Sequence, residues 1–216
     1  MKFDRVAVFA GPSLPPGDRL EIPGVEFFAP AKRGDVEGVA NDFDAVLLID
    51  GVFSDALSTT PKEMRRACRR ARVFGAASMG ALRAVECRAH GAVPLGAIAA
   101  MYARGVLEGD DEVAVLMHPD TFAALTVPVV NVRYVAWLAQ RRGILDAAAG
   151  AAWVAAARTQ IFYAERSWNG ALSLAPRGTR VALGEIAQRE GDLKRWDARF
   201  ALRCLQRHVD RQRDAA

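Results

Sequence analysis

Four short apolar runs, each closed by a turn or a helix signal, set the tightest limit on what this chain can fold into. Arg5 to Ala10, Val25 to Phe28, Ala45 to Ile49 and Val73 to Ala76 read as strands. Helical patterns over Asp35 to Asn41, Thr60 to Arg70 and Met79 to Cys87 alternate with them. A strand that is apolar along its whole length needs cover on both faces, and alternating helices supply it. The prediction is an α/β fold: an amino-terminal, mostly parallel sheet flanked by helices.

Beyond residue 90 the pattern changes. Leu95 to Leu107, Val132 to Arg142, Asp146 to Trp168, Leu183 to Glu190 and Asp192 to Arg211 read as helices, and Glu112 to Met117 as a candidate added strand. Residues 1–110 are thus expected to form the sheet domain, with a carboxy-terminal helical region over 111–216 packed on it as one compact unit. With 51% hydrophobic and 25% charged residues, the chain falls outside disordered, collagenous and disulfide-stapled classes.

Cys68, Cys87 and Cys204 lie far apart, in an odd number and without a C-x-x-C pair. That spacing argues for a reducing, cytoplasmic setting and against a zinc site or a disulfide framework. His90, His118 and His208 have no metal-ligand spacing, and neither a phosphate loop nor a dinucleotide fingerprint occurs, so no metal or cofactor is expected. The longest uncharged run, Gly91 to Ala103, is too short to span a membrane. A net charge of +4 is too mild to carry a nucleic-acid reading by itself.

The informative stretch is Val73 to Arg83. A buried strand runs into Ala76-Ala77-Ser78-Met79-Gly80 and then into a helix. Small residues around a serine suit a tight strand-to-helix elbow, where bulk would strike the neighbouring backbone. Such an elbow presents the Ser78 hydroxyl at the carboxy-terminal edge of the sheet, with the Met79 and Gly80 amides aimed at an oxyanion. A serine before a helix is also an ordinary N-cap. On sequence alone the two readings weigh the same.

Thr60-Pro61-Lys62-Glu63 carries a capping box with proline at the first helical position, which puts Lys62 in the first turn. There the helix dipole and partial burial both disfavour a positive charge and favour an amine able to accept a proton. Only Lys2, Lys32, Lys62 and Lys194 are lysines among 29 basic residues, and arginine cannot act as a base. Taken alone, Lys62 reads better as an exposed side chain. Paired with Ser78, it suggests a lysine-activated nucleophile. Gly11 and Ser13 close the first strand and Asp50-Gly51 the third at the same edge, where open α/β sheets bind ligands. Arg83 could hold an anion there, or simply pair with Glu86 three residues on.

Gly11-Pro12-Ser13, Pro30 to Asp35, Lys62-Glu63, Gly75 to Ala84, Asp110 to Ala114 and Val130 to Arg133 together resemble the TfuA-like family, over roughly residues 5 to 135. The resemblance implies partnership with a YcaO enzyme, which activates peptide amides with ATP so that sulfur replaces oxygen, and hence a role in thioamidation of a ribosomal precursor peptide. It also implies help to YcaO in holding its peptide, and hydrolysis of a thiocarboxylated, ubiquitin-like sulfur-carrier protein by a serine–lysine pair, which falls here on Ser78 and Lys62. The segment Ser58 to Pro61 departs from the aromatic residues common before that lysine. A thiocarboxylate is an anion and a poor electrophile, so a group must neutralise it or leave it protonated; Arg83 and His118 are the candidates. The alternative is a non-catalytic adaptor, in which the arginines from Arg65 to Arg72 and the basic tail from Arg207 to Arg213 dock YcaO or an acidic peptide.

Overall fold

A computed structural model of the protein describes residues 3–54, 56–160 and 166–213. By internal contacts the chain divides into two compact units, Met1–Asp110 with Arg195–Ala216, and Asp111–Lys194.

The first unit is built on a five-stranded, wholly parallel sheet in the order β2-β1-β3-β4-β5. Its strands are β1 (Val6–Phe9), β2 (Val25–Phe28), β3 (Ala45–Leu48), β4 (Arg72–Gly75) and the short β5 (Val93–Pro94). Four coincide with the apolar runs; β5 is too short and too weakly patterned to be read beforehand. The helices α1 (Asp35–Val39), α2 (Pro61–Ala67), α3 (Met79–Glu86) and α4 (Gly96–Ala103) belong to the same unit.

Strand alternation sorts the core into two layers. Ala7, Phe9, Val46, Leu48 and Val73 pack with Val36, Met64, Ala67 and Ala84 of α1 to α3. On the opposite face Val6, Val8, Leu47 and Ile49 meet Ala198, Ala201, Leu202, Leu205 and Val209. These last five lie on α9 (Leu193–Arg213), at helical spacing on one stripe. Sequence pattern groups α9 with the 111–216 region, but its apolar stripe seals the open sheet face of the first unit. Position along the chain says nothing of that. The short 3-10 turn at Pro16–Asp18 holds α9 through Asp18, which pairs with Arg195 and, at 2.8 Å, with Arg199.

In the second unit α5 (Val129–Arg141), α6 (Ala147–Arg158), α7 (Trp168–Ser173) and α8 (Arg180–Glu190) close around Val132, Val135, Trp153, Val154 and Leu183. Buried Glu112 receives Arg133 in two bonds of 2.9 and 2.6 Å. The expected strand over 112–117 is absent among the described residues; only a single antiparallel bridge, Met117 to Ala124, forms there. A helix read over 146–168 ends at Arg158, and residues 161–165 lie outside the described residues.

Candidate active site

The strand order reverses between β1 and β3, and the carboxyl ends of those strands bound the crevice where doubly wound sheets place ligands. In this protein Asp50 occupies it. Its Oδ2 accepts the amides of Gly11 and Ser13 at 2.9 and 3.0 Å, and its Oδ1 accepts the Ser13 hydroxyl at 2.7 Å. Gly11 and Ser13, expected at a substrate, are thus already spent on a buried carboxylate that fixes the loop after β1. Burial lowers the pKa of Arg19, and the charge of Asp50 opposes that shift.

One strand further along, β4 ends in an unusual turn. The Ser78 amide donates to the Ala76 carbonyl at 2.7 Å, and Ala77 between them has φ of 63°. A positive φ within an i to i+2 hydrogen bond defines a strained γ-turn, rare for a residue with a Cβ. The elbow anticipated from the small residues is therefore present, with its left-handed residue one place before the serine.

Ser78 occupies the N-cap position of α3, yet its side chain makes no capping hydrogen bond. The N-cap explanation for this serine is thereby removed. Ser78 is also only 2% exposed. Behind it, α3 presses on β3: a Cβ on Gly80 would fall 1.8 Å from the Leu48 carbonyl oxygen. The Gly80 amide donates to the Ile49 carbonyl at 3.1 Å, so it serves this packing before any oxyanion. Among the described residues no group accepts the Met79 amide, which leaves that donor at the start of α3. The Met79 side chain is fully buried against Gly51.

The capping box of α2 forms as the sequence indicates: Thr60 Oγ1 accepts the Glu63 amide at 3.2 Å, and Glu63 Oε2 the Thr60 amide at 3.4 Å. Glu63 Oε1 also takes the Val36 amide of α1 at 3.1 Å. Lys62 is exposed, where the sequence expectation counted on partial burial. The Thr59 carbonyl accepts Arg83 Nε at 2.7 Å, and Cys87 Sγ lies 3.5 Å from the Pro61 carbonyl. These contacts seat the start of α2 on the middle and far end of α3. Ser78 stands at the near end, about 13 Å from Cys87 along the helix axis. No hydrogen bond joins Lys62 to Ser78 among the described residues.

Arg83 also pairs with Glu86 at 2.6 Å. His118 belongs to the second unit, where its Nδ1 accepts the amides of Asp120 and Thr121. Burial pushes the Cys87 thiol up to about 11, so it stays protonated at neutral pH. Among the described residues no cluster of His, Cys, Asp and Glu could hold a metal ion, and no helix is long and apolar enough to cross a membrane.

The segment that carries Lys62, the γ-turn, Ser78 and Arg83 falls inside the stretch from 50 to 167, which a family model described as TfuA-like protein matches. That stretch is more than half of the chain. The chain belongs to the TfuA-like family. No curated protein matches it. Membership implies a role in the YcaO-associated thioamidation system. Within this TfuA-like protein the matched stretch includes Asp50 but neither Gly11 and Ser13, which bind it, nor α9. Asp50-Gly51 is expected at this edge because it closes the third strand; that its carboxylate binds the loop after β1 follows from packing remote in sequence.

Proposed function

We propose that this TfuA-like protein hydrolyses the thiocarboxylated carboxy terminus of a sulfur-carrier protein, with Ser78 as nucleophile, and so supplies sulfide to its YcaO partner. The observation that carries the reading is a serine at a helix N-cap whose hydroxyl caps nothing, held behind a strained γ-turn. Strain of this kind costs about 1–3 kcal/mol and persists where the surroundings enforce it, commonly at functional sites.

In this reading Ser78 Oγ attacks the thiocarboxylate carbon while Lys62 takes its proton. The Met79 amide supports the tetrahedral oxyanion. The C–S bond then breaks, the Lys62 ammonium protonates the departing sulfur, and an ester remains on Ser78. Water attacks that ester as Lys62 again accepts a proton, the bond from the carbon to Ser78 Oγ breaks as Lys62 returns that proton to Oγ, and the carrier leaves with an ordinary carboxylate. Hydrosulfide is released beside the partner, which raises its local concentration.

The second reading, an adaptor that brings peptide or carrier to YcaO, draws on two observations. Ser78 is buried, and the start of α2 contacts the other end of α3. Arg65, exposed on α2, and Arg69, exposed in the turn after it, would then form the docking face, while Arg66 and Arg70 pair with Glu37.

Sulfide release from a thiocarboxylated carrier, assayed with no YcaO present, separates the two. Ser78→Ala should bring release to background and leave stability within about 0.5 kcal/mol, because no cap is lost. Lys62→Arg should lower the rate about 10²–10⁴-fold, the usual worth of a general base. Release by Ser78→Ala at the wild-type rate would remove Ser78 as the nucleophile, and a wild-type protein that releases no sulfide would leave the adaptor.

A further inference from the structure

Between α9 and the sheet, the apolar core of the first unit leaves a pocket of about 130 Å³. Leu47 of β3, Phe74 of β4, Ala201 and Leu205 of α9 form its walls, and Phe3 closes one side. Phe3 precedes β1, at the amino-terminal edge of the sheet, whereas Ser78 follows β4 at the carboxy-terminal edge. Neither Ser78 nor Lys62 lines the pocket.

Side-chain contacts hold this space open. The Phe3 ring meets Phe74 edge-on at 6.0 Å between centroids and packs on His208 at 4.6 Å. Gln212 Oε1 accepts the Phe3 amide at 2.9 Å, which leaves its Nε2 to donate to His208 Nε2 at 2.6 Å. The start of the sheet is thereby tied to the last turns of α9. Protein interiors are packed nearly as densely as organic crystals, so an apolar space of this size stands out. A cavity of about 150 Å³ with aliphatic and aromatic walls stays dry and admits a benzene ring.

Cys204, His208 and Arg211 stand at the mouth. Cys204 and Arg211 also line a second, more open cleft of about 420 Å³, together with Arg207 and Asp210. Arg207 and Arg211 are exposed, and among the described residues neither is ion-paired. Arg211 Nε donates to the Arg207 carbonyl at 3.0 Å, and Arg207 Nη2 to Cys204 Sγ at 3.5 Å. An apolar chamber thus opens beside two guanidinium groups, with Asp210 as the only carboxylate in either lining.

We propose that the chamber binds a small carboxylic acid with a benzene-sized apolar body, its carboxylate held by Arg207 and Arg211. Guanidinium matches carboxylate in paired, charge-assisted hydrogen bonds. Two arginines less one aspartate leave a single positive charge, which suits a carboxylate better than a doubly charged phosphate monoester. The site is independent of Ser78 and its chemistry.

The test is a titration of the full-length protein with 3-phenylpropionate, followed by methyl NMR of Leu47, Ala201 and Leu205. These methyls should shift together and saturate. 3-Phenylpropanol, the same body with a neutral head, should bind at least about tenfold more weakly, and acetate should move none of them. Arg211→Ala should lose the preference for acid over alcohol. Cys204→Trp, which sets an indole in the mouth, should abolish binding of both. Shifts that do not saturate, equal binding of acid and alcohol, or unchanged binding in Cys204→Trp would each overturn the proposal. Should Cys204→Trp fail to fold, the alcohol and Arg211→Ala decide alone, a retained preference in the latter overturning the role of the arginine pair. None of these readouts uses sulfide release, so their failure leaves the role of Ser78 untouched.

Discussion

At Gly80 the backbone of α3 passes so near β3 that hydrogen is the only side chain with room. The neighbour is a strand carbonyl, not the flexible end of a side chain, so nothing can yield cheaply. Gly80→Ala should therefore destabilise the protein by roughly 3 kcal/mol or more, measured by urea unfolding. The same approach spends the Gly80 amide on Ile49 and leaves Met79 as the donor at the start of α3. The small residues around Ser78 are visible in sequence, and they foretell a tight elbow. Which amide the elbow leaves open is not visible, because that depends on the carbonyl of another strand. Lys62 teaches a related lesson. Its capping box is local and forms as read, whereas its exposure follows from how α2 leans on α3.

Among the elements, α9 depends most on partners remote in sequence. Hydrogen bonding to Arg195 is the largest effect lowering the Asp18 pKa; burial opposes it, and the charges of Arg195 and Arg199 add to it. A carboxylate with a depressed folded-state pKa contributes stability above its unfolded pKa and loses it as pH falls through the folded one. The hold of Asp18 on α9 should thus persist below the pH at which free carboxylates titrate, and then fail. Asp18→Asn should cost roughly 1–2 kcal/mol at neutral pH, between exposed and buried pairs, because both arginines can turn to water. Thermal unfolding of the two proteins from pH 7 to pH 3 checks this: their difference should shrink toward the acid end. A constant difference would mean that Asp18 acts by shape and not by charge.

For the whole molecule, the sheet of the first unit is doubly covered only because the chain returns from the second unit to supply its last helix. Removing residues 195–216 would expose the face that Leu202, Leu205 and Val209 cover. At about 1.5–3 kcal/mol for each large apolar side chain, the loss is roughly 5–9 kcal/mol, comparable with the net stability of a typical domain. The truncated protein should lose its cooperative transition and become sensitive to proteolysis within the sheet; retention of both would show that α9 is an accessory. Sequence by itself determined the parallel sheet, the order of strands and helices along the chain, the capping box before Lys62 and the elbow at Ser78. Each of these rests on interactions between residues close together in the chain or on the period of the apolar pattern. Tertiary structure alone decided that Asp50 fills the crevice between β1 and β3, that the Ser78 hydroxyl caps nothing, and that Asp197 of α9 accepts the Ala97 and Ile98 amides from a hundred residues away. Those outcomes depend on which distant donors and acceptors packing brings within about 3 Å, and hydrophobic periodicity carries no record of that.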